Sequence, residues 1–154
     1  MFKSRRHAPP PPSLAVQAWN NLGNAQREVS LLDDAARSYV ACIHLQVQAA
    51  AAEAAKAAGA AHTVPLLPPM AAVGGVPVVP PGLGAQHGQR LAVAMNNLGG
   101  VFKLQNKLQE CISCYSQVVL MQPAAAEAHA NLASAFKDSG EASPFRRPAA
   151  LLST

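Results

Sequence analysis

Residues 96–123 read NNLGGVFKLQNKLQECISCYSQVVLMQP. The tetrad Asn-Asn-Leu-Gly also opens the earlier stretch at 20–23, inside AWNNLGNAQREVSLLDDAARSYVACI. A looser copy, ANLA, stands at 130–133 in AHANLASAFKDSG. Leu98 and Leu132 are 34 residues apart, and Leu22 and Leu98 are 76 apart, which is 34 plus an insertion of 42. Each copy has the spacing of a helical hairpin. The motif Leu and the aromatic residue four later, Phe102 or Phe136, share one face of a first helix. Gly23, Gly99 and Ala133 are small where two antiparallel helices come closest. Ala35 and Cys111 are the small partners on the second helix, with Tyr39 and Tyr115 one turn beyond. Pro123 ends its helix and begins the next unit. The chain is therefore expected to be all-α, with full units at 16–49 and 92–125 and a third first helix at 126–141.

The period of 34 and the order of small and aromatic positions resemble the tetratricopeptide repeat, whose signature is W-x2-L-G-x2-Y…A-x3-F…P. The first copy supplies Trp19, Leu22, Gly23, Ala35 and Tyr39; the second supplies Leu98, Gly99, Phe102, Cys111, Tyr115 and Pro123. Departures occur at Gln26, where an aromatic is expected, at Cys42 and Val118 in place of Ala, and at Val47 in place of the closing Pro. The resemblance implies a fragment of a helical solenoid.

Between the two full units lies the insertion, 50–91. It opens with AAAEAAKAAGAA, a strong helix former that should extend the second helix to about residue 58. The rest, 59–91, is rich in Pro and Gly without period and reads as disordered linker or polyproline II chain. Such a loop is tolerable because closure cost rises only logarithmically with length. His62 and His87 within it are expected to be solvated. Residues 1–15 and 142–154 are likewise expected to be disordered, the first basic and Pro-rich. Pro144 and Pro148 fall where the third unit's second helix should start, and Pro148 would remove a ladder bond. About three units are needed for independent stability. The chain is thus expected to be a marginally stable piece of a longer array, with self-association through an uncapped C-terminal repeat.

Composition narrows the function classes. Only 13% of residues are charged and 5% aromatic, so the core should be thin and alanine-rich. The net charge of +4 lies in the end segments, at Lys3, Arg5, Arg6, Arg146 and Arg147; residues 16–141 carry seven Lys/Arg and eight Asp/Glu. No basic, aromatic-interleaved face results, which excludes nucleic acid as the expected partner. Residues 64–85 are uncharged, but their six prolines and four glycines oppose a membrane helix. The start lacks the apolar segment of a secretory signal. Its Arg-rich, acid-free composition fits an organelle transit peptide, whereas its proline run opposes the amphipathic helix such a peptide needs. Three cysteines make no disulfide framework, which fits a reducing compartment, cytoplasmic or nuclear. Cys111 and Cys114 have C-x-x-C spacing, but no second ligand pair follows, so no metal is expected.

Candidate chemistry sits on the first helices. The residue before each motif Leu is Asn: Asn21, Asn97 and Asn131. A carboxamide offers donors and an acceptor, and so can pair with both the N–H and the C=O of an extended guest peptide. Asn20, Asn24 and Asn96 flank this row and complete the candidate peptide-binding set. The stretches AEAHANLASAFKDSGE and NNLGGVFKLQNKLQECISCYSQVVLMQP are similar to repeats of the O-GlcNAc transferase family, the second also to its Spindly-type O-fucosyltransferase relatives. That resemblance implies an asparagine ladder at Asn21, Asn97 and Asn131 holding the backbone of protein clients. It also implies a UDP-GlcNAc-dependent catalytic region elsewhere in the parent. No phosphate loop, nucleophile–base pair or spaced carboxylate pair is visible here, so no catalytic residue, cofactor or metal site is assigned. Asp33 and Asp34 read as caps of a second helix, and His129 as a packing residue. Two other readings compete. One is a generic repeat adaptor. The other is a co-chaperone with a carboxylate clamp, for which Asn24 and Asn97 match, but Asn20, Glu127 and Asn131 stand where cations are needed.

Overall fold

The computed structural model describes residues 12–57, 59, 72–73, 76–79 and 85–140. These residues are almost wholly helical. Helix α1 (Pro12–Glu28) is followed by α2 (Leu32–Ala57), a two-residue strand pair β1 (Ala72–Val73) and β2 (Val76–Pro77), then α3 (Ala85–Leu104), α4 (Leu108–Met121) and α5 (Ala126–Ser139). Each helix packs on the next in the order α1, α2, α3, α4, α5. One apolar core runs through the stack. Disorder was expected over 1–15, but 12–15 form the first turn of α1; the expected disorder of 1–11, of most of 60–84 and of 142–154 lies outside the described residues.

Two helix connections share one geometry. Ser30 between α1 and α2 has φ 62, and Asn106 between α3 and α4 has φ 58. The Leu31 N–H donates to the Gln26 carbonyl, and the Lys107 N–H to the Phe102 carbonyl, both at 2.8 Å. Such bonds close a helix on a left-handed residue and satisfy its orphan carbonyls. Gly140, with φ 72, occupies the corresponding place after α5. Positions 30, 106 and 140 repeat the gaps of 76 and 34 set by the motif leucines.

Within each hairpin the close approach falls at the expected glycine. A β-carbon on Gly23 would lie 2.7 Å from Tyr39 Cε1, and one on Gly99 would lie 2.7 Å from Tyr115 Cε1. Ala35 and Cys111, one turn before those tyrosines, are fully buried. Gln26, the departure in the first unit, accepts a hydrogen bond from Ser38 Oγ at 2.6 Å. The matching positions in the second unit are Phe102 and Cys114, both in the apolar core. A polar pair has thus replaced an apolar one, with both members changed together.

Stacking buries the motif leucines one way only. Leu98 is 0% and Leu132 2% exposed, because α2 covers α3 and α4 covers α5. Leu22 is 43% exposed, and Leu14, Trp19, Val29 and Leu31 around it are exposed too. Helix α1 thus carries an open apolar end; the end expected at the C-terminal unit depends on residues after 140, outside the described ones.

The insertion contributes more structure than its composition suggests. Without a proline near 47, α2 continues for 26 residues, against 14 for α4. Helix α3 begins at Ala85, so 85–91 are helix rather than linker, and Leu91 is fully buried. His87, expected to be solvated, hydrogen-bonds Glu53 of α2 at 2.8 Å. Val76 is fully buried against α2 and α4. The Gln117 carboxamide brackets the chain beyond it, accepting from the Val79 N–H at 2.9 Å and donating to the Pro77 carbonyl at 3.2 Å. Asp33 and Asp34 are not caps: they lie inside the first turn of α2, where carboxylates favour the helix dipole. Asp34 pairs with Arg37, and Asp33 accepts from Gln105 Nε2 at 2.8 Å.

Neighbouring glycines should respond oppositely to alanine. Gly99→Ala forces a methyl against the Tyr115 ring and is expected to cost roughly 1–3 kcal/mol. At Gly100 the nearest atoms to a β-carbon are 3.9 Å away, so Gly100→Ala should stabilise by about 0.5–1 kcal/mol through helix propensity. Urea denaturation of both variants measures the contrast.

Candidate functional site

The first helices of successive units come side by side, and their asparagines meet. Asn97 Nδ2 of α3 donates to Asn20 Oδ1 of α1 at 3.2 Å. Asn131 Nδ2 of α5 donates to Asn96 Oδ1 of α3 at 2.8 Å. In both pairs the second Asn of one unit reaches the first Asn of the unit before it. The separations are 77 and 35 residues, each one more than the repeat gap. The third unit has Ala130 at the first position, so the pattern ends there.

Asn21, Asn97 and Asn131 therefore hold equivalent places, with Asn21 exposed and the other two half-buried. Asn24 serves the hairpin: its Oδ1 accepts from the Tyr39 hydroxyl at 2.7 Å. About two turns along α3 from its asparagines, Lys103 Nζ joins α5 by donating to Ser134 Oγ at 2.7 Å and pairing with Asp138 at 2.9 Å. The row is a polar seam with fixed side-chain directions. Each amide–amide bond uses one proton of the donating carboxamide, whose inventory is two donors and an oxygen with two lone pairs.

Beside Asn20 the seam opens into a crevice of about 320 Å³ between α1 and α3, lined by Val16, Cys42, Gln46, Arg90 and Val93 among others. Its floor is α2. A second hollow, about 440 Å³, lies on another side between α2 and the α3–α4 turn, with Val40 and Phe102 in its wall. Lys107 stands over the Phe102 ring at 5.9 Å, within cation–π range. His129, expected to be a packing residue, has its Nε2 at 2.9 Å from the Pro123 carbonyl, in an exposed contact.

Nothing described favours covalent or metal chemistry. Cys42, Cys111 and Cys114 are free and buried. Burial pushes the Cys111 thiol up to about 11, and it raises those of Cys114 and Cys42. A thiol held neutral is a poor nucleophile and a poor ligand. Among the described residues no three His, Cys, Asp or Glu side chains are grouped as a metal site would require. Nor is any described helix long and apolar enough to cross a membrane.

No family model matches the chain, and no curated protein does.

Sequence reasoning located the asparagine row but not Gln46 or Gln117. Gln46 carried a signal: it falls among Cys42, Ile43 and Val47 on the buried face of α2, where a polar residue is costly unless bonded. Gln117 carried none, since its role needs a distant segment.

The thiols make the burial of the helical core testable. At pH 8, Cys111 in the native chain should react with a thiol reagent at least about 100-fold more slowly than in denaturant, because burial holds its thiol up at about 11. A thiol raised in the folded state contributes stability that is complete below its ordinary value near 9 and is lost as pH climbs towards 11. The urea midpoint should fall across that window; a flat profile would contradict the burial.

Proposed function

We propose that the chain is an interaction scaffold that holds extended polypeptide along its first helices, in the manner of a tetratricopeptide solenoid. The observation that carries this reading is the repeated amide pair, Asn97 to Asn20 and Asn131 to Asn96. Equivalent carboxamides recur one unit apart, and each is oriented by a neighbour before any guest arrives. Pre-orientation lowers the ordering cost of binding. Carboxamides bind main chain without regard to its sequence, which suits a scaffold with several clients.

The chemistry has a precedent inside the molecule. Gln117 grips the extended segment Pro77–Val79 through one N–H and one C=O. That is the same donor–acceptor pairing proposed for the row. The tetratricopeptide assignment is supported by the recurrent Gly–Tyr contact and by left-handed turn residues at the repeat gaps. The narrower reading is that the chain belongs to the client-recognition region of an O-GlcNAc-transferase-like protein. It rests on the resemblance of residues 16–49 and 92–141.

The test is fluorescence anisotropy with labelled extended peptides on the wild type and on the Asn97→Ala, Asn131→Ala double variant. Losing several guest hydrogen bonds of about 1 kcal/mol each should weaken binding about tenfold or more, with unchanged helical circular dichroism. Equal affinity in the two proteins would remove the asparagine row as the binding surface.

A further inference from the structure

Every unit places a cation five residues after its motif Leu: Arg27, Lys103 and Lys137. These make a second row beside the amides, one per first helix. Lys103 Nζ is engaged on the next first helix, by Ser134 at 2.7 Å and Asp138 at 2.9 Å. Arg27 reaches the equivalent place one unit earlier. A β-carbon on Gly100 would lie 3.9 Å from Arg27 Nη1, and Gly100 stands 34 residues before Ser134. The residue 34 before Asp138 is Leu104, which is 63% exposed. The slot that Arg27 enters therefore lacks both the hydroxyl and the carboxylate that Lys103 finds.

Among the described residues, no hydrogen bond or ion pair engages the Arg27 guanidinium. Half-buried beside a glycine, it keeps a permanent charge and all its donors. Glu28 follows it in sequence, but successive residues on a helix do not face each other. Gly100 lies one turn along α3 from Asn96 and Asn97, about 5 Å. A guest side chain leaving the amide row can thus reach the guanidinium. The neighbouring unit shows what it must bring, because there a carboxylate fills the slot. A carboxylate meets the guanidinium fork with two oxygens and cancels one charge. A hydroxyl or carboxamide supplies an acceptor but leaves the charge standing. A phosphate carries more charge than the slot offers, since Lys103 is already paired with Asp138. The apolar surface of Leu104 suits the methylenes of an acidic side chain.

We infer that the slot over Gly100 binds the carboxylate of an aspartate or glutamate in the guest polypeptide, through the Arg27 guanidinium. The inference rests on the peptide-binding reading above and adds selectivity to it. The amide row would hold main chain of any sequence, whereas the slot would favour an acidic residue at one place along it.

The test uses the full chain and amidated peptides Gly-Ser-Ala-Ser-X-Ser-Ala-Ser-Gly carrying a neutral fluorophore, with Glu, Gln or Lys at X. At low ionic strength, wild type is expected to bind the Glu peptide at least about fivefold more tightly than the Gln peptide, and the Lys peptide most weakly. The preference should shrink as salt is raised. Arg27→Gln should erase it, and Arg27→Glu should turn it towards the Lys peptide. Leu104→Asp supplies in cis the acid that Asp138 gives to Lys103, at an exposed position that leaves Arg27 and the core in place. It too should erase the preference while the Gln peptide still binds. Equal binding of the Glu and Gln peptides by wild type refutes the slot and leaves the amide row standing. A Glu preference that survives Arg27→Gln or Leu104→Asp refutes it as well. If none of the three peptides binds, the peptide-binding reading falls and takes the slot with it.

Discussion

The contact on which the rest depends is a tyrosine ring lying where a glycine has no side chain. Gly23 with Tyr39 and Gly99 with Tyr115 set the same closest approach in both hairpins. With a β-carbon there, the helices must separate or the ring must turn, and either changes the angle at which a hairpin meets the next. Each hairpin then delivers its second helix as a lid for the following first helix. That is why Leu98 and Leu132 are buried while Leu22 is not. Ala133, which occupies the glycine's place in α5, is exposed because no described second helix follows it.

Equal hairpins have a consequence for the polar surface. When units stack with a constant offset, equivalent side chains come abreast at a constant sequence difference. The amide pairs show it: the repeat gap plus one, on both sides of the insertion. Forty-two extra residues leave that register untouched. They do so because their ends continue α2 and begin α3, two helices that already pack together. The Glu53–His87 bond ties those added turns. Loop closure itself adds little to the cost of so long a connection, since its entropy rises only logarithmically with length.

Much of this was legible in residue types and spacing. Gly23 and Gly99 were legible as points of close approach, but their expected partners were the small Ala35 and Cys111, whereas the structure sets the Tyr39 and Tyr115 rings there. The extension of α2 was legible from alanine content. The asparagine row was visible as residues, but its internal bonds were not, since they depend on how one hairpin rotates against the next. The segment around Val76 was misleading. Pro and Gly describe a linker locally, while the burial of Val76 and the grip of Gln117 are tertiary facts. Asp33 and Asp34 suggested caps, but the helix starts one residue earlier and Asp33 is taken by Gln105 from the next hairpin.

The two buried glutamine interactions show how one chemical group yields opposite outcomes. Gln117 has both ends of its amide engaged by a single extended strand, so the strand is ordered and the amide is satisfied. Gln46 has its nitrogen engaged by sulfur, a weak acceptor, and its oxygen engaged by nothing. An orphaned acceptor in a partly enclosed site costs roughly 1–3 kcal/mol relative to a bonded one. If its only role were to fill space, leucine would serve better at position 46.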